Sequence, residues 1–462
     1  MKTRYALPFY LGGAVAARAG DEMSGPALML AGFALAGSTT DASSLLAGLT
    51  VAAAVGGPVL GALLDRARRP GRLLAGALVL YAAGLATVLV GLGDWPFPVT
   101  VLVAVATGLL GPALSGGWTA QLPRVVGRAR LPRANALDAM TFSAASLAGP
   151  ALAGGVAGAL GATTAVAVSV ALVVVALPAA WALPAAGGLP AAGGLPSAGG
   201  LSGVGVLPSA GVLPGVGVLP PTGVLPRARV LPSAGVLPSA RVLPSAGALS
   251  VAPSRIGAAA RSVSGDLADG LRTIVGRPTL ARATVTSVVS CAAQGMLMAC
   301  AAPLGERVLG GAERSAILLT CVAVSALAAD AVLARFPRAV APDTVVWAAA
   351  LVQAAGLGLV AVAAVAGQGL TLIVAALVLG IGEGPQLAAL FAVRHRESPE
   401  RLRGQIFTTG ASLKITGFAL GAAAAGPVAS RSLTAASAAA AGVALLAALA
   451  PWSMRRAARV RP

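Results

Sequence analysis

The sequence predicts an all-α integral membrane protein with twelve transmembrane helices in two halves of six. Composition supports this fold class first, because 57% of the 462 residues are hydrophobic and the mean hydropathy is +0.87. A second observation is that short basic clusters recur between long stretches that carry no charge. A soluble core does not bury that much apolar surface, so we expect lipid to be the surrounding solvent.

The charge-free stretches predict where the helices cross the bilayer. A hydrocarbon core of about 30 Å takes roughly 20 helical residues, and a helix satisfies its own backbone hydrogen bonds there. Single spans are predicted over residues 42–64, 73–93, 95–123, 283–305 and 432–454. Two pairs of spans are predicted from residues 139–182, divided near 158–161, and from residues 344–382, divided at Gly367-Gln368-Gly369. Three spans with internal charges, near residues 5–35, 314–335 and 404–430, complete the twelve.

The basic clusters predict the orientation, because Lys and Arg in short loops stay on the cytoplasmic side. They lie at both chain ends and after spans two, four, eight and ten, over residues 66–72, 124–133, 335–338 and 394–403. Both termini are therefore expected in the cytoplasm, with the chain as a multi-pass protein of the inner (plasma) membrane and the lipid bilayer as its partner. A cleaved signal peptide is not expected, because eleven spans follow the first.

The formal charge of +18 does not indicate a nucleic-acid partner, since only 3% of residues are aromatic and the basic residues flank apolar runs. Cys291, Cys300 and Cys321 lie in or beside spans seven and eight, and their spacing favours small apolar fillers over a metal site or disulfides. His395, the one histidine, is expected to be solvated in an inner loop. No metal or cofactor is expected.

A repeat separates the two sets of spans. From Leu183 to Leu249 a leucine returns every six residues, and ten of these twelve leucines precede a proline. A hexapeptide β-helix is one interpretation, but a proline in each turn removes a backbone donor, which favours a flexible, partly polyproline-II linker. The predicted organisation is a six-helix half over residues 1–182, a cytoplasmic linker over 183–254, and a second half with a short basic tail over 255–462.

Charges are concentrated in the stretch GALLDRARRPGR between spans two and three. A glycine is followed after three residues by an acid and then by basic residues: Gly61, Asp65, Arg66, Arg68 and Arg69. This pattern, with the twelve spans in two sets of six, resembles the major facilitator superfamily of secondary transporters. The resemblance implies a close helix approach at the glycine and an inner gate held by the acid against the opposite half. An orientation anchor alone is the alternative, although it does not need Asp65.

The second half carries a partial copy of this pattern, with Ala326, Asp330 and Arg335. Ala331 stands where the family pattern has a basic residue, which weakens the expectation of a second gate.

A second element lies in span five, where Gly149, Pro150 and Gly154 resemble the Gly-Pro element of the family's antiporter branch. The resemblance implies an exporter, whereas close helix packing alone is the other interpretation. Span four carries no charge, although proton-coupled exporters of this family usually have an arginine there. Proton coupling is therefore expected elsewhere in the chain.

Ionisable residues inside spans are candidates for coupling or substrate binding, because an unpaired charge in lipid is costly. Span one holds Arg18, Asp21 and Glu22, and helical offsets of three and four predict that one acid neutralises the arginine while the other exchanges a proton. A solvated cluster at the outer rim is the alternative. Glu383 in span ten and Lys414 in span eleven are expected either to pair with each other or to line a substrate site.

These features predict a secondary active transporter that works by alternating access, with proton-coupled efflux of drug-like compounds or secondary metabolites. An importer or facilitator of a small metabolite, and a non-transporting membrane scaffold, are the alternatives. An enzyme is not expected, because a catalytic site in the membrane needs clustered ligating residues and the chain has one histidine. The partners expected are a small-molecule substrate and protons, and the protein is expected to be a monomer.

Overall fold

A computed structural model describes residues 6–36, 39–185, 265, 268–311 and 314–460. Most of the predicted linker over residues 183–254 lies outside the described residues. The described chain forms two groups of six long helices, which confirms the predicted fold class.

The first group has helices α1 to α6, in chain order Ala6–Ala36, Thr39–Arg66, Pro70–Gly91, Phe97–Gly108, Leu131–Leu160 and Ala162–Val175. The second group has helices α7 to α12, in chain order Pro278–Leu304, Ser315–Arg335, Pro342–Ala366, Gly369–Glu397, Arg403–Ala429 and Leu433–Val460. A π-helical segment, Ala113–Gly117, extends α4 to a span of 21 residues.

Within the described residues, ten of these helical segments are long and apolar enough to cross a membrane. The first helix, α1, carries Arg18, Asp21 and Glu22, and the apolar part of α12 is the shorter segment Leu433–Leu449. Large apolar side chains such as Val51, Val55 and Leu102 are exposed on the helix surfaces. Such surfaces match the lipid environment of a multi-pass membrane protein.

Helix ends follow the local sequence. Gly161, with φ of +92°, separates α5 from α6, and Gly367, with φ of +64°, separates α9 from α10. Both breaks were predicted, because glycine adopts positive φ without a steric penalty. Two helices are longer than their charge-free stretches, since α5 begins at Leu131 and α10 continues to Glu397.

Each half has its own apolar core. In the first half the core includes Trp118, Tyr10 and Leu78, and in the second half it includes Leu372, Leu379 and Ala436. The halves contact each other where α2 packs on α11 and where α5 packs on α8 and α10. These two seams between the halves position the residues described below.

Candidate functional site

One end of the α2–α11 seam is held by Asp65. The Asp65 carboxylate accepts the backbone N–H of Gly404 at 2.7 Å and that of Gln405 at 2.8 Å. Both groups belong to the first turn of α11, where backbone donors have no partner inside the helix. A negative charge at this end of a helix is also favoured by the helix dipole. Asp65 and the first turn of α11 are called the latch below.

Two glycines let α2 approach α11 closely beside the latch. A Cβ atom on Gly61 would lie 2.3 Å from the Gln405 Cα, and one on Gly57 would lie 2.3 Å from the Thr408 carbonyl oxygen. Ser412 bridges the same helices, because its hydroxyl donates to the Ala53 carbonyl oxygen at 2.6 Å. The side chains along this seam therefore hold the latch end of the two halves together.

The arginines near the latch fall into two groups. Arg66, Arg68 and Arg69 of the sequence pattern are exposed, whereas Arg124 and Arg403 interact electrostatically with Asp65. Burial first, and then the positive charge of Arg403, lower the pKa of the Arg124 guanidinium. Arg403 precedes Gly404 on the opposite half, so the sequence pattern supplies the acid and the facing half supplies one of its cations.

Arg18 pairs with Asp138 of α5, and not with Asp21 or Glu22 as predicted. Its guanidinium contacts the Asp138 carboxylate at 3.0 Å and the Thr119 hydroxyl at 2.8 Å. It also donates to Thr141, and Phe142 stacks on it with the ring centroid 3.7 Å from Cζ. The predicted pairing was wrong because Asp138, on the facing helix α5, presents both of its carboxylate oxygens to the guanidinium. An acid one turn away on the same helix does not offer this two-oxygen geometry.

Asp21 takes part in a second local network. Its carboxylate accepts the Tyr81 hydroxyl at 2.6 Å, and Ser24 contacts the same hydroxyl at 3.0 Å. Tyr81 and Ser24 are buried in the first half. This acid therefore joins α1 to α3 within one half.

Glu22 is the acid of α1 that interacts electrostatically with the second half. Its side chain is exposed, and it is close enough to Glu383 of α10 for the two carboxylates to repel each other. Gly149 of α5 makes room for it, because a Cβ there would lie 2.6 Å from the Glu22 Cβ. An acid from each half therefore faces the space between the halves.

Lys414 of α11 interacts electrostatically with Glu383. It also interacts with the Cys291 thiol of α7. Both Glu383 and Lys414 are half-buried. Glu383 and Lys414, which were predicted either to pair or to line a substrate site, thus interact electrostatically, and the lysine also interacts with Cys291.

Asp330, in the partial copy of the sequence pattern, lies deeper than Asp65. It is fully buried within α8, and the Ser143 hydroxyl of α5 donates to it at 3.4 Å. A Cβ on Gly384 would lie 2.8 Å from its carboxylate oxygen, so α10 also covers it. Asp330 occupies the second seam without contacting the first turn of a helix.

The span-five element has uneven contacts. Gly149 packs tightly on α1, whereas a Cβ on Gly154 would meet no atom within 4 Å. Pro150 lies inside the continuous helix α5 and is exposed. The close approach in this element is therefore confined to Gly149.

Sequence reasoning missed Asp138, Arg124 and Arg403 as partners of the predicted charges. Asp138 immediately precedes the charge-free stretch over residues 139–182, and an isolated acid at that place was the available signal. The two arginines were counted only as parts of basic clusters.

No known protein-family profile matches the chain. Over 128 residues, 26% of the chain, it is 37% identical to the uncharacterised MFS-type transporter y4rN of Sinorhizobium fredii (strain NBRC 101917 / NGR234), and the match spans 31% of that relative.

Similar folds are found among solved transporters. The human organic anion transporter MFSD10 (TETRAN) matches with a TM-score of 0.67 at 14% identity, over 98% of this chain and 100% of that one. A bacterial homologue of the iron transporter ferroportin, in an outward-facing state, matches equally well, with a TM-score of 0.67 at 14% identity over 98% and 99%. The proton:xylose symporter XylE matches with a TM-score of 0.63 at 13% identity over 97% and 94%.

The first prediction concerns the seam beside the latch. Gly61→Val should push α2 away from the α11 backbone, at a cost of about 1–3 kcal/mol to the closed arrangement. A Thr408→Cys thiol, placed at this buried seam in a chain without native cysteines, should then react faster with a water-soluble maleimide. Gly76→Val is the control, because a Cβ on Gly76 meets no atom within 4 Å. Equal labelling rates in both variants would contradict the described seam.

The second prediction concerns the pair Arg18–Asp138. Arg18→Met leaves a buried carboxylate without its cation and should destabilise the purified protein by about 3–5 kcal/mol in thermal unfolding. Adding Asp138→Asn should restore much of that loss, because it removes the buried charge. An exposed arginine supplies the control, Arg68→Met, which should be nearly neutral. Additive losses in the double variant would show that the two side chains do not act as a pair.

Proposed function

We propose that this chain, which has the fold of the major facilitator superfamily of transporters, is a secondary active transporter that works by alternating access. The observation that carries the proposal is the arrangement along the seams between the two halves. A breakable latch holds one end, and acids from both halves, Glu22 and Glu383, face the space between them. Rocking of two rigid halves about such a seam exposes the same acids to either side in turn.

The roles of the charges follow from their partners. Arginine side chains stay charged in proteins. Arg18 is paired with Asp138 and therefore holds α1 to α5. Asp21 is bonded to Tyr81 inside one half and therefore stabilises that half. Glu22 faces Asp21 on its own helix, Ser146 on α5 and Glu383 on α10. We assign the proton to Glu22, because uptake of a proton there relieves its repulsion with Glu383.

Export of drug-like compounds or secondary metabolites in exchange for protons is the function that these features favour. The direction rests on the resemblance of Gly149-Pro150 and Gly154 to the antiporter branch. Glu22, Glu383 and Asp330 outnumber the two cations of the same cluster, Lys414 and Arg394, which favours a cationic substrate. We place both termini in the cytoplasm, the chain in the inner (plasma) membrane, and the working unit as a monomer.

Import or facilitated passage of a small metabolite uses the same seam and is the second candidate. A non-transporting scaffold, by contrast, does not need acids between the halves. Proteoliposomes loaded with ethidium as a cationic probe, or with fluorescein as an anionic one, separate these functions when a pH gradient of either sign is applied. Proton-driven movement of ethidium from the cytoplasmic side of the protein to the opposite side supports export, and movement toward the cytoplasmic side supports import.

The third prediction separates the two acids of α1. Glu22→Gln should abolish pH-gradient-driven ethidium flux while ethidium exchange without a gradient continues, because the exchangeable proton is lost and the seam is kept. Asp21→Asn should retain the driven flux and lower the melting temperature, because it weakens the bond to Tyr81. The measurement is ethidium fluorescence in proteoliposomes, with melting temperature measured on the same preparations. Full driven flux in Glu22→Gln would exclude it as the proton carrier.

A further inference from the structure

A cavity of about 860 Å³ lies between the halves at the latch end. Its wall combines the start of α5, the end of α8 with the loop that follows, the end of α10 and the start of α11. Arg338 closes one side, because its guanidinium donates across the halves to the Ala129 carbonyl oxygen at 2.7 Å. We call it the anion cavity, defined by Arg128, Asn135, Arg338, His395 and Arg403.

The charges in its wall are mostly positive. Arg128, Arg338 and Arg403 line it, and Glu400 is the acid in the wall. A fourth arginine, Arg396, lines the cavity but is paired with Asp343 at 2.8 Å and with Glu397 at 2.9 Å. The cavity therefore has an excess of cations, which favours an anionic occupant.

Buried donors in the wall have no hydrogen-bond partner. His395 is 7% exposed, and neither of its ring nitrogens is bonded; Ser398 is also 7% exposed, and its hydroxyl is unbonded. The same holds for Nε of Arg403. One nitrogen of a neutral imidazole is always a donor, and buried donors without partners are costly. These atoms lie just behind the cavity surface, so an occupant with several acceptor atoms would satisfy them once the side chains turn toward it.

Two helices besides α11 also begin at this wall. The first residues of α5, Leu131 and Pro132, and of α9, Pro342, line the cavity. Neither helix start has a side-chain cap. Pro132 and Pro342 carry no N–H, and the Leu131 N–H is bonded to the Arg128 carbonyl oxygen. These helix starts therefore favour an anion through the positive end of the helix dipole and not through free backbone donors.

We propose that the anion cavity binds a phosphate group. Donors converge on it from both halves, and several arginine forks with a helix start suit the several oxygens of a phosphate better than a single carboxylate. The phosphate comes either from a soluble phosphate compound or from the headgroup of an anionic lipid. Because both halves form the wall, bound phosphate stabilises the arrangement in which the latch is closed.

Binding is tested on the full-length protein, independently of any transport assay, so its failure leaves the proposed transport function untouched. In the first arm the protein is in detergent, and inorganic phosphate or pyrophosphate is titrated at constant ionic strength. In the second arm it is in vesicles of phosphatidylcholine alone or mixed with phosphatidylglycerol. Melting temperature is measured in both arms, and affinity by titration in the first.

Matched variants locate the effect. Arg128→Gln removes a cation from the wall, whereas Arg130→Gln removes an exposed arginine of the same turn that does not line the cavity. His395→Phe keeps an aromatic ring against Phe407, whose centroid is 4.4 Å away, but removes the unbonded nitrogens. It should not lower the melting temperature without phosphate, since no hydrogen bond of the described structure is lost.

The fourth prediction is that phosphate or pyrophosphate raises the melting temperature of the unchanged protein and of Arg130→Gln. Arg128→Gln and His395→Phe should each bind about tenfold more weakly. If only phosphatidylglycerol vesicles give the variant-dependent rise, the proposal stands with lipid as the source of the phosphate. Equal responses in all variants, or no response in either arm, would overturn it.

Discussion

The contact between the Asp65 carboxylate and the first turn of α11 determines how the two halves meet. The start of α11 exposes backbone donors that its own helix leaves unbonded, and Asp65 accepts two of them from the opposite half. Each hydrogen bond to a charged group contributes about 1.5–3 kcal/mol. Asp65 is half-buried, so water can replace these bonds when the halves separate. The two bonds therefore hold the halves together at the latch end, and under the proposed function they are the bonds that break when this end opens.

The latch has no equivalent on the second seam. Asp330 sits five residues before the end of α8 and accepts from Ser143, whereas Asp65 lies at the end of α2 and reaches backbone donors. Asp330 is held by a side-chain hydroxyl, so separating the halves at this seam would not free backbone donors at the start of a helix. The two seams consequently differ, because the acid at the first accepts from backbone donors of a helix start and the acid at the second accepts from a side-chain hydroxyl.

The charges divide by whether their partners lie in the same half. Arg18 with Asp138, and Asp21 with Tyr81, are bonded within the first half and join its helices. Glu22 and Glu383 come from different halves, and their mutual repulsion depends on how the halves are placed. Under the proposed function, a change of protonation is therefore coupled to movement only for charges of the second kind.

Much of the fold was predictable, because charge-free length and glycine breaks are local properties of the chain. The latch was predictable as a pattern, since Gly61 and Asp65 lie on one helix at a spacing of four. The partner of Arg18 was not, because Asp138 is distant in sequence and only tertiary packing brings it close. His395 was predicted to be solvated, but α10 continues past it and Phe407 covers it. The anion cavity is built by parts of five helices, α5, α8, α9, α10 and α11, which no single stretch of sequence reveals.

The distance between the halves at the latch end tests the account most directly. Spin labels on Arg68→Cys and Arg401→Cys, both exposed and on opposite halves, can be measured by pulsed electron resonance in lipid after the three native cysteines are replaced by serine. Two distance populations are predicted, with a ratio that changes with pH and shifts to the longer distance in Asp65→Asn. A single distribution, unchanged by pH and by Asp65→Asn, would contradict the account.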